Sequence, residues 1–358
     1  MNERDSINHI VEKVGHLLDK MDFPMVDNPE GVESRVQDII QLLDNQQSND
    51  VLVHGVWGMG GLGKTTIVKA IYNKIGRNFE VRSFLANIGK KWKNKDEQVF
   101  LKARLCHKKV LLVLDDVNSL DQLNALCGSR KWFGSGSRVI ITTRDKHILS
   151  ESGVDKIYTM KEMDEGESIE LFSWHAFRQA SPREDFTVIS KKIVDYSGGL
   201  PLALEILGSS LFEREVAEWK SEFEKLKIIP NNEVHRKLKV SYDHLNDYDQ
   251  KEIFLDIACF FIGMDRNDVI HILNGCGHFA EIGISILAER SLVTVDDKNK
   301  LGMHNLLRDM GREIIREKSP SVLQDRSRLW FHKDALGLLS NETVSTSDTF
   351  YGLKTFKA

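Results

Sequence analysis

The sequence predicts an α/β fold built on a parallel sheet, followed by a small helical module and a domain of helices closed by a β-hairpin. Three observations predict it. First, the continuous apolar runs Val51-Leu52-Val53, Val110 to Leu114 and Val139-Ile140-Ile141 recur among helical patterns in the first half of the chain. Runs of that kind suit parallel strands covered on both faces, and alternation with helices implies a parallel sheet. Second, from about Ser168 the strand signal stops and apolar residues fall at helical spacing. Third, the last third of the chain places helices before two short strands that flank a polar turn, Asp296 to Lys300.

In chain order, Ile7, Ile10, Val11, Val14, Leu17 and Leu18 predict an amphipathic helix, and Pro24 and Pro29 a linker. Val32, Val36, Ile39, Ile40 and Leu43 share one face of a second helix, and the polar run Asn45 to Asp50 leads into the first strand. Gly58 to Thr65 then fits G-x-x-x-x-G-K-[ST], and Ile67, Ala70, Ile71 and Ile75 continue as a helix. Strand, glycine-rich turn and helix N-terminus, in that order, make a phosphate-binding loop. Gly58, Gly60, Gly61 and Gly63 let the backbone approach an anion closely. Their N–H groups form a nest, reinforced by the positive end of the helix. Lys64 would reach the β- and γ-phosphates, the Thr65 hydroxyl would ligate Mg²⁺, and Thr66 completes the motif. A purine nucleotide is the expected ligand.

Ser83 to Ile88 predicts a second strand. Lys90 to Lys95, basic with one tryptophan, suits a solvated loop better than a nucleic-acid contact. Phe100, Leu101 and Leu105 suggest a short helix. The run Val110 to Leu114 ends in Asp115-Asp116, and Ser137 to Arg144 predicts the next strand. Ligands gather at the carboxyl ends of strands in open α/β sheets. There, Asp115 can hold Mg²⁺ beside Lys64 and Thr65, and Asp116 can orient an attacking water. Arg144 can read a γ-phosphate through paired hydrogen bonds. The plain alternatives are a helix cap for the carboxylates and a surface position for the arginine.

Beyond the sheet, Ile169, Leu171, Phe172, Ala176 and Phe177 form one helix face, and Ile189, Ile193 and Val194 another. Gly198-Gly199-Leu200-Pro201 breaks the pattern, and Pro201 starts a helix, where a proline is tolerated in the first turn. Val216 to Leu226 completes the module, and Pro230-Asn231-Asn232 marks a boundary. Phe254 to Phe261 and Ile282 to Ala288 predict helices, and Leu292 to Val295 with Leu301 to His304 a hairpin. Helices followed by such a hairpin describe a winged helix, a module that often binds DNA. This one carries little basic excess, which favours a packing role. The expected divisions are a helical linker over 1–45, a phosphate-loop nucleotide domain over 46–160, and a helical module over 161–230. A winged-helix domain over 231–318 and a tail over 319–358 complete them.

The chain has 358 residues, 41% of them hydrophobic, and a formal charge of −4, so its overall charge draws it neither to nucleic acid nor to an acidic membrane. Its four cysteines, Cys106, Cys127, Cys259 and Cys276, lack C-x-x-C spacing and predict reduced, packed thiols. No signal peptide is visible at the N-terminus, and no apolar run approaches the length of a membrane span. A soluble, cytoplasmic protein is expected, with the nucleus also open to it. No period of 20–30 residues appears, so leucine-rich repeats are not expected within the chain.

Taken together, Gly58 to Thr66, Leu112 to Val117, Gly136 to Arg144, Gly199 to Leu204, Phe254 to Phe261 and Met303-His304-Asn305 closely resemble one family. These motifs, with Arg326 to Trp330 after them, look like the NB-ARC module of plant intracellular immune receptors. The wording of Phe254 to Phe261, and Asp115-Asp116-Val117 without a following tryptophan, resemble the class that carries an N-terminal TIR domain. The resemblance runs from about Asp5 to Trp330. It implies a P-loop NTPase fold and a nucleotide switch, closed around ADP at rest and opened by exchange to ATP. It also implies at most slow Mg²⁺-dependent ATP hydrolysis, and self-association or association with full-length receptors. By resemblance, Pro201 lies against the adenine, His304 contacts the ADP β-phosphate, and Arg144 reads the γ-phosphate. A turning-over ATPase, a DNA-binding regulator and a degenerate relative are the rival readings.

Three departures from the family stand out. Lys64 to Asp115 spans fewer positions than the family shows, which predicts sparse cover over one face of the sheet. Asn305 stands where an aspartate is common; the lost charge is expected to favour the open form by about 5- to 150-fold. The TIR and leucine-rich-repeat parts are not in this sequence.

Overall fold

The computed structural model describes residues 22–24, 31–44, 50–86, 88, 107–319 and 325–331. The helix expected at Ile7 to Leu18, Pro29, the basic run at Lys90 and the short helix at Phe100 lie outside these residues. Two compact units are present. One contains the described residues up to Trp174 together with Leu200–Leu202, and the other contains His175–Gly199 and those from Ala203 onward.

In the first unit, β1 (Leu52–Trp57), β2 (Val81–Leu85), β3 (Val110–Val117), β4 (Arg138–Thr143) and β5 (Lys156–Thr159) form one sheet. Every neighbouring pair is parallel, in the order β2-β3-β4-β1-β5. Helices α1 (Val32–Asp44) and α2 (Lys64–Ile75) lie against each other, and α2 packs on β3 and β4. On the other side, Leu123 and Leu126 of α3 (Leu120–Cys127) and Ile148 and Leu149 of α4 (Lys146–Glu151) join a core with Val110, Leu112, Val139 and Ile141. Because side chains alternate across a strand, the full burial of Val110 to Leu114 means that both faces are covered. The sparse cover expected from the short Lys64–Asp115 spacing is therefore not found at β3: α2 supplies one face and α3 with α4 the other.

The second strand begins earlier than expected, at Val81 instead of Ser83, and stops at Leu85. Its register is set by β3, with Val81 opposite Val110 and Leu85 opposite Leu114. Ile88 falls outside the strand yet is buried in the same core, which explains why its apolarity misled. The Pro24 linker is anchored. Asn73 of α2 both accepts from the Phe23 N–H and donates to its carbonyl, each at 2.9 Å, and Phe23 packs against Tyr72 and Phe84.

The second unit starts within α5 (Glu165–Phe177) and contains α6 (Thr187–Ser197), most of α7 (Pro201–Leu211), and α8 (Val216–Leu226). Trp219 stacks on Phe177 at 5.2 Å and donates its indole N–H to the Leu211 carbonyl, centring this module. Then come α9 (Asn232–Asp243), α10 (Tyr248–Asp256), α11 (Arg266–Gly275) and α12 (Ala280–Glu289), the hairpin β6 (Thr294–Val295) and β7 (Leu301–Gly302), and α13 (Asn305–Lys318). The expected helix over Phe254 to Phe261 is α-helical only to Asp256 and continues as a π-helical turn, Ile257–Phe261. Both hairpin strands are shorter than predicted. Burial pushes the Cys127 and Cys259 thiols up to about 12, as packed thiols require, whereas Cys276 lies exposed, contrary to expectation. No helix among the described residues is long and apolar enough to cross a membrane.

Candidate nucleotide-binding site

The glycine-rich loop leaves the carboxyl end of β1 and enters α2 through Gly63, which takes φ +83°. A Cβ on Gly63 would meet nothing within 4 Å, so the loop opens there beside the helix N-terminus, where an anion finds free N–H groups. Gly61 is constrained differently. It sits at φ +89°, and a Cβ there would come within 2.9 Å of the Leu202 Cβ. The Leu202 N–H donates to the Gly61 carbonyl at 3.2 Å, which places Pro201, the first residue of α7, beside the loop. Gly61→Ala combines a disfavoured dihedral with this close approach. It is expected to cost about 1–3 kcal/mol of stability and to weaken nucleotide retention. Chemical denaturation and nucleotide content measured on the same preparation test both effects.

Lys64 is buried inside the loop that it would serve. Its Nζ donates to the Gly58 carbonyl at 2.6 Å and to the Met59 carbonyl at 2.8 Å, curling the loop around the ammonium. Burial, and then the nearby Arg144 guanidinium, bring its pKa down to about 7. Between pH 7 and the usual lysine range, the folded site therefore holds fewer protons than the unfolded chain, and this residue's contribution to stability rises with pH across that window. An anion at the loop favours the charged form again. Nucleotide binding near pH 8.5 should accordingly take up a proton, and affinity should fall as pH rises above 7. Calorimetry in buffers of differing ionisation enthalpy reads the uptake directly; equal apparent heats in all of them contradict it.

Asp115 and Asp116 lie in the last turns of β3, which breaks register between Leu114 and Val117. Asp116 takes φ +58°, a left-handed conformation that aspartate tolerates better than most residues. The kink turns the two carboxylates to different partners. Asp115 accepts the Thr65 hydroxyl at 2.9 and 3.1 Å and the Thr142 hydroxyl at 2.8 Å. Burial raises its pKa, against the pull of those two hydroxyls. Asp116 stands 3.6 Å from the Arg144 Nε, and that guanidinium lies over Gly60. Thr65, Asp115, Asp116 and Arg144 thus meet beside the loop. Thr66, one residue further along α2, is half-buried. A threonine hydroxyl beside a carboxylate is a pair of hard oxygen groups, which suits Mg²⁺.

Thr142 was missed. Its hydroxyl also accepts the Asp116 N–H at 2.9 Å, so one side chain fixes both aspartates. The available signal was a pair of threonines closing an otherwise apolar strand, Ile140 to Thr143. Thr142→Val leaves a buried N–H and a carboxylate without that partner and should cost about 1–3 kcal/mol, measurable by denaturant titration.

His304 belongs to the second unit. As the N-cap of α13 its Nδ1 accepts the Leu306 N–H at 3.2 Å, so Nε2 carries the proton and donates to the Gly198 carbonyl at 3.1 Å. Asn305, the first residue of that helix, is exposed.

Comparison with known proteins identifies this arrangement. The NB-ARC domain profile matches residues 32–100 and 84–182, and the profile of the Roq1-like winged-helix domain of disease resistance proteins matches 247–319. The chain belongs to the NB-ARC family. It is 41% identical to disease resistance protein RUN1 of Vitis rotundifolia, over 92% of this chain and 26% of that protein. It is 38% identical to TMV resistance protein N of Nicotiana glutinosa, over 95% of this chain and 32% of that protein. The chain therefore spans about a quarter to a third of the length of these relatives. A Walker-type ATPase of Pyrococcus abyssi shares the fold, with TM-score 0.54, 11% identity, and coverage of 83% of this chain and 99% of that one. The NB-ARC match falls into two pieces that overlap over residues 84–100, where the Lys64–Asp115 spacing is short.

Proposed function

We propose that this NB-ARC chain is the ADP/ATP-binding switch of a plant intracellular immune receptor, ADP-bound at rest and opened by exchange to ATP in defence signalling. The observation that carries this reading is the convergence of Lys64, Thr65, Asp115 and Arg144 at the carboxyl ends of β1, β3 and β4. Lys64 and the loop N–H groups hold the β-phosphate, and Pro201 lies against the adenine. Thr65 and Asp115 would hold Mg²⁺, which would supply charge neutralisation at the phosphates. Arg144 distinguishes the two nucleotides, since its guanidinium can leave Asp116 for a γ-phosphate. A ligand moves such an equilibrium only through its differential affinity for the two states, and a γ-phosphate that alone engages Arg144 supplies that difference.

Hydrolysis is slow in this reading. Asp116 is the candidate to orient a water, but its carboxylate faces Arg144. By its resemblance to the family, His304 is the residue assigned to the β-phosphate, where its Nε2–H would exchange the Gly198 carbonyl for a phosphate oxygen. Self-association, or association with full-length receptors, follows opening.

The test is the nucleotide carried by the purified protein, released by denaturation and resolved by anion exchange. Near-stoichiometric ADP is the expected result. ATP in its place overturns the ADP-bound resting state, and an empty protein overturns the switch.

A further inference from the structure

Within the second unit, the turn after α8, the middle of α13 and the segment Arg326–Phe331 line an open cavity of about 360 Å³. That volume lies at the small end of small-molecule sites. Leu226, Ile228, Pro230 and the ring of Trp330 supply apolar wall. Arg312 and Trp330 also line it, and just behind the wall lie two N–H donors, Arg312 Nε and Trp330 Nε1, each buried and without an acceptor. The Arg312 guanidinium lies 5.9 Å from the centre of the Trp330 ring, so both donors occupy one corner. Nearly all buried N–H groups in native proteins are paired, and two exceptions side by side require a cause.

Charge points to the same corner. Neighbouring cations are already engaged: Arg316 pairs with Glu313 at 2.7 Å, Lys227 with Glu224 at 2.6 Å, and Arg326 donates to the Ser319 carbonyl. Asp309 is held by Arg308 at 2.9 Å. Arg312 makes no ion pair within 4 Å among the described residues: the indole face is its neighbour, and Asp309, already held by Arg308, attracts it from further away. The corner thus lacks one negative charge carrying two acceptor oxygens. A carboxylate has that charge and matches the planar fork of a guanidinium, whereas a phosphate dianion brings a second charge with no cation left to meet it.

We propose that this cavity is a second ligand site, for a small monocarboxylate with a flat apolar body. The carboxylate is held by Arg312 and Trp330, and the body lies against Leu226, Ile228 and Pro230. A modest rotation of each side chain brings its N–H to the ligand and replaces an unpaired donor by a paired one.

The test titrates the full chain with sodium benzoate and follows its indole N–H signals by NMR. The chain has six tryptophans, and Trp330→Phe identifies the Trp330 signal by its loss. That signal is expected to move saturably with benzoate, to respond about tenfold more weakly to acetate, and to ignore inorganic phosphate. Arg312→Gln should weaken benzoate binding about tenfold or more while the remaining indole signals keep their positions. If that variant does not fold, calorimetry on Trp330→Phe replaces it, with weakened binding expected because the ring remains and the donor is gone. The proposal is overturned by a Trp330 signal that stays fixed, that follows phosphate better than benzoate, or that moves equally in Arg312→Gln, and by unchanged benzoate affinity in Trp330→Phe.

Discussion

Replacing Lys64 by alanine is expected to strip the protein of nucleotide, lowering affinity on the order of 10²- to 10³-fold. Two physical effects combine. The ammonium is the only charged donor rooted in the loop itself, and it is buried, so its attraction for phosphate is little screened by solvent. It also holds the loop in its curve through the Gly58 and Met59 carbonyls, so its loss leaves the N–H nest less well organised. The effect on global stability is smaller, because the substitution also removes the cost of burying a charge. Equilibrium binding of a fluorescent ADP analogue, set beside a denaturation curve, separates the two. A variant that folds and binds ADP as the parent does removes Lys64 from the site.

Arg328→Ala carries the largest expected loss of stability, about 3–5 kcal/mol. Arg328 is 8% exposed and lies in the segment that follows α13. Its Nη2 donates to the Glu252 carboxylate at 2.8 Å and to the Glu252 carbonyl at 3.1 Å, while its Nε donates to Asp256. Burial opposes the charge, but the two carboxylates outweigh it and hold the guanidinium above the usual arginine range. Removing one cation strands two largely buried carboxylates on α10. In a unit of this size the loss should lower the melting temperature by roughly 10 °C. Arg328→Lys is expected to recover only part of it, since an ammonium cannot match the planar fork that reaches both acids. A melting point within a degree or two of the parent would show that the clasp contributes little.

The phosphate loop, Asp115, Asp116 and Arg144 were legible because each lies at the end of a run whose physics is local. Five consecutive apolar residues from Val110 announce a strand covered on both faces, and the polar residues that interrupt such a run mark its carboxyl end. Thr142 was not legible, because its importance comes from strand order. β4 lies between β3 and β1, which sets the Thr142 hydroxyl between the two aspartates. Nor was β5. Lys156–Thr159 has four residues, none of them fully buried, and its edge position gives it no apolar run to announce it. Helices α9, α11 and α13 also escaped, since their apolar residues are spaced among many charges and pack as stripes only once neighbouring helices are in place.

By itself, then, the sequence determined the class of ligand and the strands that present its binding groups. A glycine-rich turn between a strand and a helix has few other uses, and an apolar run long enough to be a buried strand declares its own ends. Tertiary structure alone decided which groups share a bond. The hydroxyl that ties Asp115 to Asp116, the carbonyls that hold Lys64, the Gly198 carbonyl that sets the His304 tautomer and the acids that clasp Arg328 are separated from their partners by 5 to 106 positions. Spacing in sequence carries no information about such pairs, because strand order and helix packing bring them together and no local propensity records either.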